Sequence, residues 1–194
     1  MLDIAAETTS DLRPALAVCA YDLDQPAWPV EEEPNLAFPF ARAVVVEPAA
    51  PEGLAQRLSE GLRERRCQGL LLVGRSRSGQ VRLQTRAENR VMGGKGRLDP
   101  LGPAVARATA SAQEILRALG DVGVTASATS DAEDDAGSYL LYRVLNSLPD
   151  GADAPAVGLL RLPHGQPSEE AARVVSAVAS AMARHLPPCP RTRT

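Results

Sequence analysis

The run "GLLLVG" (69–74) most constrains the fold, because it is apolar at every position that carries a side chain. A strand with one solvent-facing side alternates apolar and polar residues, whereas a strand buried on both faces is continuously apolar. The run therefore predicts a strand inside a sheet that is covered on both faces. An amphipathic helix is predicted just before it, at 51–66, with Leu54, Leu58 and Leu62 on one side.

The rest of the chain repeats this alternation of strands and helices. Hydrophobic spacing predicts strands at 14–21, 42–47, 124–128 and 155–163, an extended segment at 81–91, and helices at 110–123, 134–148 and 167–186. Strands alternating with helices are typical of an α/β three-layer sandwich with a mostly parallel central sheet.

The length of 194 residues predicts one domain, 1–194, with enough chain to bury a core. We expect mobile tails at 1–13 and 187–194. The segment 22–41 is predicted to be a long loop, since it contains four prolines.

Charge and composition exclude several classes of partner. The net charge of −3 is accompanied by no basic cluster, so a nucleic-acid partner is not expected. No apolar run is long enough to span a membrane, and the acidic start does not resemble a signal peptide. The three cysteines lack the spacing of a disulfide framework or a zinc site, so we expect a cytoplasmic protein without a metal or cofactor.

In folds of this class the functional crevice lies at the carboxyl ends of the strands. The segments that follow predicted strands, and that we therefore expect around the crevice, are 21–40, 74–78, 128–138 and 161–166.

Two motifs in these segments carry a family resemblance. "AGSYLLY" (136–142), followed by "AVGLLRLPHGQP" (156–167), resembles the pyroglutamyl peptidase I family of cytoplasmic cysteine peptidases, which remove an N-terminal pyroglutamate. Upstream, "GLLLVGRSRSGQVRLQTRAEN" (69–89) is similar to the family's strand and the segment that bears its catalytic acid. The resemblance extends over about 41–186. It implies the family's fold, a peptide or amide ligand, and a homo-dimer or tetramer.

The same resemblance implies that the family's catalytic triad is replaced. Ala136, Gly137 and Tyr139 match the nucleophile motif, which places Leu141 where the family has its cysteine. The second motif places Arg161 at the position of the histidine base, and the upstream segment places Gln84 at that of the acid. We therefore expect a protein that is inactive as a cysteine peptidase and has a ligand-binding or assembly role.

An active hydrolase with relocated groups is the alternative. Ser138 or Cys19 could be the nucleophile and His164 the base, although a helix cap, a buried thiol and a loop histidine are the simpler interpretations. Arg75 is the retained residue that we expect to face the crevice and contact a ligand.

Geometry separates the two hypotheses. The active hydrolase requires Ser138 or Cys19 within hydrogen-bond reach of His164. The inactive protein predicts a buried Leu141 and an ion pair between Arg161 and one of the acids in 131–135.

Overall fold

The computed structural model describes residues 13–21, 37–38, 41–45, 49–149, 151 and 154–186. The strands in these ranges are β1 (Ala15–Ala20), β2 (Ala37–Phe38), β3 (Ala41–Val45), β4 (Gly69–Ser76), β5 (Val81–Gln84), β6 (Arg86–Glu88), β7 (Val105–Arg107), β8 (Ala126–Thr129) and β9 (Ala156–Pro163). The helices are α1 (Pro51–Arg63), α2 (Ala112–Asp121), α3 (Ala136–Ser147) and α4 (Ser168–Ala183).

Seven strands form one sheet in the order β2-β3-β1-β4-β9-β5-β8. The four strands β3, β1, β4 and β9 run parallel, while β2 is antiparallel to β3 and β5 is antiparallel to β9. Strand β8 runs parallel to β5 and therefore opposite to β9. The predicted α/β sandwich with a mostly parallel sheet is confirmed.

A core lies on each face of the sheet. Apolar residues of α1 and α3 pack on one face, and those of α2 and α4 pack on the other. The strand predicted from the run 69–74 is central and fully buried, as expected for a strand covered by helices on both sides. Leu54, Leu58 and Leu62 form the buried side of α1, as their spacing predicts.

Three details differ from the sequence predictions. The predicted loop 22–41 contains the short strand β2 and the first residue of β3, while 22–36 lies outside the described residues, as do 1–12 and 187–194. The extended segment 81–91 divides at Thr85, whose N–H and hydroxyl both donate to the carbonyl oxygen of Thr129. From there β6 leaves the main sheet and pairs with β7, a strand that the sequence did not predict.

Candidate functional site

The predicted crevice centres on Arg161, a completely buried arginine in the second half of β9. Strand pairing places it opposite Gly74 of β4 and Arg82 of β5. The side chain of Gln84, at the end of β5, and the first turn of α3 reach the same point. Three elements that are distant in sequence thus converge on one guanidinium group.

Asp135 is the main partner of Arg161. Its two carboxylate oxygens accept hydrogen bonds from Nη1 and Nη2 of Arg161 at 2.6 and 2.8 Å. Oδ1 of the same carboxylate also accepts a hydrogen bond from the N–H of Ser138 at 2.9 Å and so caps α3. The side chain of Asp135 is therefore fixed by the helix and by the arginine together.

Other acceptors surround the rest of the guanidinium. Nε donates to Oε1 of Gln84 at 2.7 Å, and Nη2 donates to the hydroxyl of Ser138 at 3.1 Å. Nη1 also donates to the carbonyl oxygen of Arg75 at 3.1 Å and to the Tyr21 hydroxyl at 3.3 Å. These contacts and the Asp135 pair supply the acceptors that a buried arginine needs. We refer to Arg161, Asp135, Glu133, Gln84, Ser138 and Tyr21 as the Arg161 network.

The charge on Arg161 is stabilised within this network. Burial alone would lower the pKa of its guanidinium, but the hydrogen bond to Asp135 and the nearby Tyr21 and Glu133 oxygens hold the pKa above its usual value. Oε2 of Glu133 lies 3.6 Å from Nη1 of Arg161. Arg161 is therefore a cation at neutral pH and cannot accept a proton.

Glu133 connects this network to the loop that follows β4. Its carboxylate accepts hydrogen bonds from the N–H of Arg77 at 3.3 and 3.4 Å and from the Ser76 hydroxyl at 3.5 Å. The segment 128–138 therefore reaches the crevice as predicted. The prediction assumed that β8 runs parallel to its neighbours and ends at the crevice, and that assumption was wrong. Strand β8 runs opposite to β9, and the chain returns to the crevice only through the acidic segment that follows it.

Tyr21, the residue after β1, occupies the space above the sheet next to Arg161. A Cβ built on Gly74 or on Gly137 would overlap the phenol ring of Tyr21. The ring therefore fits only because both of these residues are glycines. Tyr21 is itself buried, whereas its sequence position predicted only the end of a strand and the start of the crevice segment 21–40. The sequence gives one indication that Tyr21 lies in the crevice, namely that it is an aromatic residue directly after an apolar strand.

Among the described residues, the space between the acidic segment and the start of α3 is small. The cavity bordered by Glu133, Asp135, Ser138 and Tyr139 has a volume of about 10 Å³, which is roughly the space for one water molecule. Leu141 is completely buried in the core between the sheet and α1 and α3. Both geometric conditions set for an inactive protein, a buried Leu141 and an ion pair from Arg161 to an acid in 131–135, are present.

The residues of the alternative hydrolase hypothesis are not brought together. Nδ1 of His164 lies 2.9 Å from the carbonyl oxygen of Ser76, whereas the Ser138 hydroxyl contacts Gln84 and Arg161. Among the residues that the structure describes, no hydrogen bond joins His164 to Ser138 or to Cys19. Burial raises the pKa of the Cys19 thiol to about 12, despite the opposing effect of Arg57, so the thiolate is scarce at neutral pH.

Arg75, predicted to contact a ligand, is half-buried and donates from Nη1 to the carbonyl oxygen of Pro163 at 3.0 Å. It therefore links the ends of β4 and β9 at the edge of the crevice. The acidic segment 130–137 serves the same arginine network and α3. Within the described ranges no group of three or more His, Cys, Asp or Glu side chains could hold a metal ion.

No protein-family model matches the chain, and no curated protein sequence matches it. Solved structures, in contrast, do match the chain. Pyroglutamyl peptidase I from Bacillus amyloliquefaciens superposes with a TM-score of 0.74 at 14% sequence identity, over 89% of this chain and 96% of that one. This chain has the fold of the pyroglutamyl peptidases.

Two further structures agree with this assignment of the fold. Pyrrolidone carboxyl peptidase from Thermus thermophilus gives a TM-score of 0.67 at 20% identity, over 86% of this chain and 99% of that one. The enzyme of the same name from Thermococcus litoralis gives 0.69 at 16% identity, over 89% and 94%. In the part of the chain that the structure describes, no helix is long and apolar enough to cross a membrane.

Proposed function

We propose that this chain is a member of the pyroglutamyl peptidase I family that does not hydrolyse pyroglutamyl peptides through a cysteine nucleophile, and that it acts instead through binding or assembly. The observation that carries this proposal is the ion pair between the fully buried Arg161 and Asp135, whose side chain is 27% exposed. It occupies the place where the family resemblance puts the general base.

The chemistry of the three replaced positions supports the proposal. A cysteine peptidase needs a thiolate, an imidazole that takes up its proton, and a group that orients the imidazole. Leu141 has no lone pair, Arg161 is held in its protonated form, and Gln84 carries no charge. Loss of one member of such a set costs orders of magnitude in rate, and here the resemblance places a substitution at all three.

The alternative, an active hydrolase with relocated groups, is tested by turnover of a fluorogenic pyroglutamyl amide. The purified full-length protein is compared with its Ser138→Ala, Cys19→Ala and His164→Ala variants. We expect no turnover that depends on any of these residues. Turnover that disappears in one of the three variants, while folding is retained by circular dichroism, would overturn the proposal and identify the relocated group.

An assembly role is supported by the loop between β6 and β7. Leu101 in this loop is 98% exposed, yet the loop is fixed. Asn89 exchanges hydrogen bonds with the backbone of Asp99 at 2.7 and 3.0 Å, and Asn146 of α3 donates to the Asp99 carboxylate at 2.9 Å. The fixed loop thus presents a whole leucine side chain to solvent, and burying that side chain in a partner would be favourable.

The partner that this surface fits is a second copy of the chain. Beside the loop lies a cavity of about 380 Å³ with a mixed lining: Pro103, Leu145, Leu148 and Pro149 border it, as do the polar residues Arg107, Thr109 and Asn146. In a twofold dimer each copy would insert its Leu101 into the cavity of the other, because such an interface pairs one patch with itself. A cytoplasmic location belongs to the same proposal, and it is supported by Cys19 and Cys67, neither of which forms a disulfide.

Sedimentation velocity tests the self-association. We expect the wild-type protein to sediment as a dimer or tetramer and Leu101→Asp to shift towards the monomer. Val122→Asp is the matched control, since Val122 is an exposed apolar residue at the end of α2. A monomeric wild-type protein, or equal behaviour of the two variants, would contradict the proposal.

A further inference from the structure

A further cavity lies where β5, the β6–β7 ribbon and the start of α2 meet, and Gln84 of the Arg161 network borders it. Its volume is about 290 Å³, close to the lower end of the range for small-molecule sites, about 300 Å³. Two arginines line it, Arg86 of β6 and Arg107 of β7, together with the polar residues Thr85 and Ser130. We call it the arginine cavity.

The two arginines are direct cross-strand partners. Two other cross-strand pairs of this ribbon are hydrogen-bonded: Ala108 N–H donates to the Thr85 carbonyl oxygen, and Asn89 N–H donates to the Ala104 carbonyl oxygen. The alternation of an antiparallel ladder makes Arg86 and Arg107 a non-hydrogen-bonded pair, with Cα atoms roughly 4.5 Å apart. Like charges placed directly opposite each other destabilise a ribbon. This arrangement therefore carries a cost in the absence of an anion.

The charge of this pair is only partly neutralised by the protein. Nε of Arg86 donates to the carbonyl oxygen of Ser130 at 2.6 Å, and its Nη2 lies 3.8 Å from the Glu88 carboxylate. Arg107 makes no ion pair and no side-chain hydrogen bond with any residue that the structure describes. The cavity wall thus combines a guanidinium fixed by the backbone with an exposed guanidinium that no described side chain or carbonyl group pairs with.

Small and apolar residues also line the cavity. Leu83, Ala110 and Gly158 line it, and Ala112 adds the first turn of α2, where no side chain caps the N–H groups. A ligand here would place a negatively charged group against the arginines and a short hydrocarbon part against the alanine and leucine side chains. Arginine pairs favour carboxylate and phosphate because the guanidinium fork matches two oxygens of either group.

We propose that the arginine cavity binds the oxyanion group of a small molecule, a carboxylate or a phosphate, through Arg86 and Arg107. The site adjoins the Arg161 network, since Gln84 borders the cavity and donates from Nε2 to the carbonyl oxygen of Arg86 at 2.7 Å, whereas Arg161 itself does not border it. The bound anion would remove the repulsion between the two cross-strand arginines, and binding would therefore also stabilise the β6–β7 ribbon.

The probes are sodium phosphate and sodium acetate, each titrated at constant ionic strength into the full-length protein labelled with ¹⁵N. We expect saturable shifts of the backbone amides of 106–108 and 112–114 with at least one probe. Phosphate alone, acetate alone or both would each support the site and would identify the preferred oxyanion. Arg107→Ala should weaken the affinity by about tenfold or more, as loss of charge-assisted hydrogen bonds does.

Arg117→Ala is the control, because Arg117 is an exposed arginine on α2 outside the cavity and its loss changes the net charge equally. It should bind the probe with wild-type affinity. The absence of saturable shifts with both probes would overturn the proposal. So would an equal loss of affinity in the two variants, which would mean that general charge attracts the anion. Arg107→Gln provides the same comparison if the alanine variant does not fold.

Discussion

The substitution Asp135→Asn tests the ion pair at the centre of the Arg161 network. Asparagine keeps an oxygen that can accept the hydrogen bond from Ser138 N–H, so the cap of α3 is retained and the charge is the main change. Arg161, completely buried, then loses the carboxylate that binds it at 2.6 and 2.8 Å. Removing one partner of a buried pair costs about 3–5 kcal/mol.

The lower end of this range applies here, because the Asp135 side chain is 27% exposed and Glu133 remains 3.6 Å from Nη1 of Arg161. We therefore expect Asp135→Asn to lower the free energy of unfolding by about 3 kcal/mol. For a chain of this size that corresponds to a fall of roughly 6–12 °C in Tm. The assay is urea unfolding followed by circular dichroism, with the m value used to check that both variants unfold the same surface.

Asp131→Asn is the matched control. Asp131 lies 3.7 Å from Arg82, but its side chain is 80% exposed, and exposed pairs contribute less than about 1 kcal/mol. If Asp135→Asn were no more destabilising than Asp131→Asn, Arg161 would not depend on Asp135, and the description of the network as a buried ion pair would be refuted.

Two further predictions concern the packing and the reactivity of the site. Gly137→Ala should destabilise the protein by about 1–3 kcal/mol, because its Cβ would overlap Tyr21. Gly120→Ala is the control: this glycine lies on α2 with open space around it, and the substitution should stabilise the protein by about 0.5–1 kcal/mol. Equal effects of the two substitutions in thermal unfolding would contradict the position of Tyr21. Burial raises the pKa of Cys19 from 9.0 to about 12, so at pH 8 the folded thiolate fraction should be about a thousandfold below that of the unfolded chain. In a variant whose other cysteines are alanine, we expect alkylation of Cys19 by iodoacetamide to be at least about a hundredfold slower in buffer than in urea; similar rates would show that the thiol is accessible and reactive.

Much of the fold could be predicted from the sequence, because hydrophobic spacing reports directly which side of each element is buried. The helices α1 and α4 and the buried strand β4 follow from that spacing alone. The direction of a strand does not follow from this spacing, because a buried strand has the same apolar pattern whether it is parallel or antiparallel to its neighbour. For this reason the reversed β8 was not foreseen. Strand β7 was also missed, because three residues that follow a proline- and glycine-rich loop carry no periodic signal.

The site was predictable only in part. The motif around 136–142 located the crevice. The hypothesis of an inactive protein predicted an ion pair between Arg161 and one of the acids in 131–135. Which acid pairs with Arg161 depends on how the chain returns from β8 to α3, and no local pattern specifies that path. The position of Tyr21 depends on the absence of side chains at Gly74 and Gly137, which lie far from it in sequence.

The central claim is that no nucleophile remains at the place where the fold would hold one. Incubation of the full-length protein with an electrophilic pyroglutamyl chloromethyl ketone, followed by intact-mass and peptide mass spectrometry, tests it most directly. The account predicts no adduct on Cys19, Ser138 or His164 under conditions that fully label an active pyroglutamyl peptidase. A stoichiometric adduct on one of these residues would contradict it.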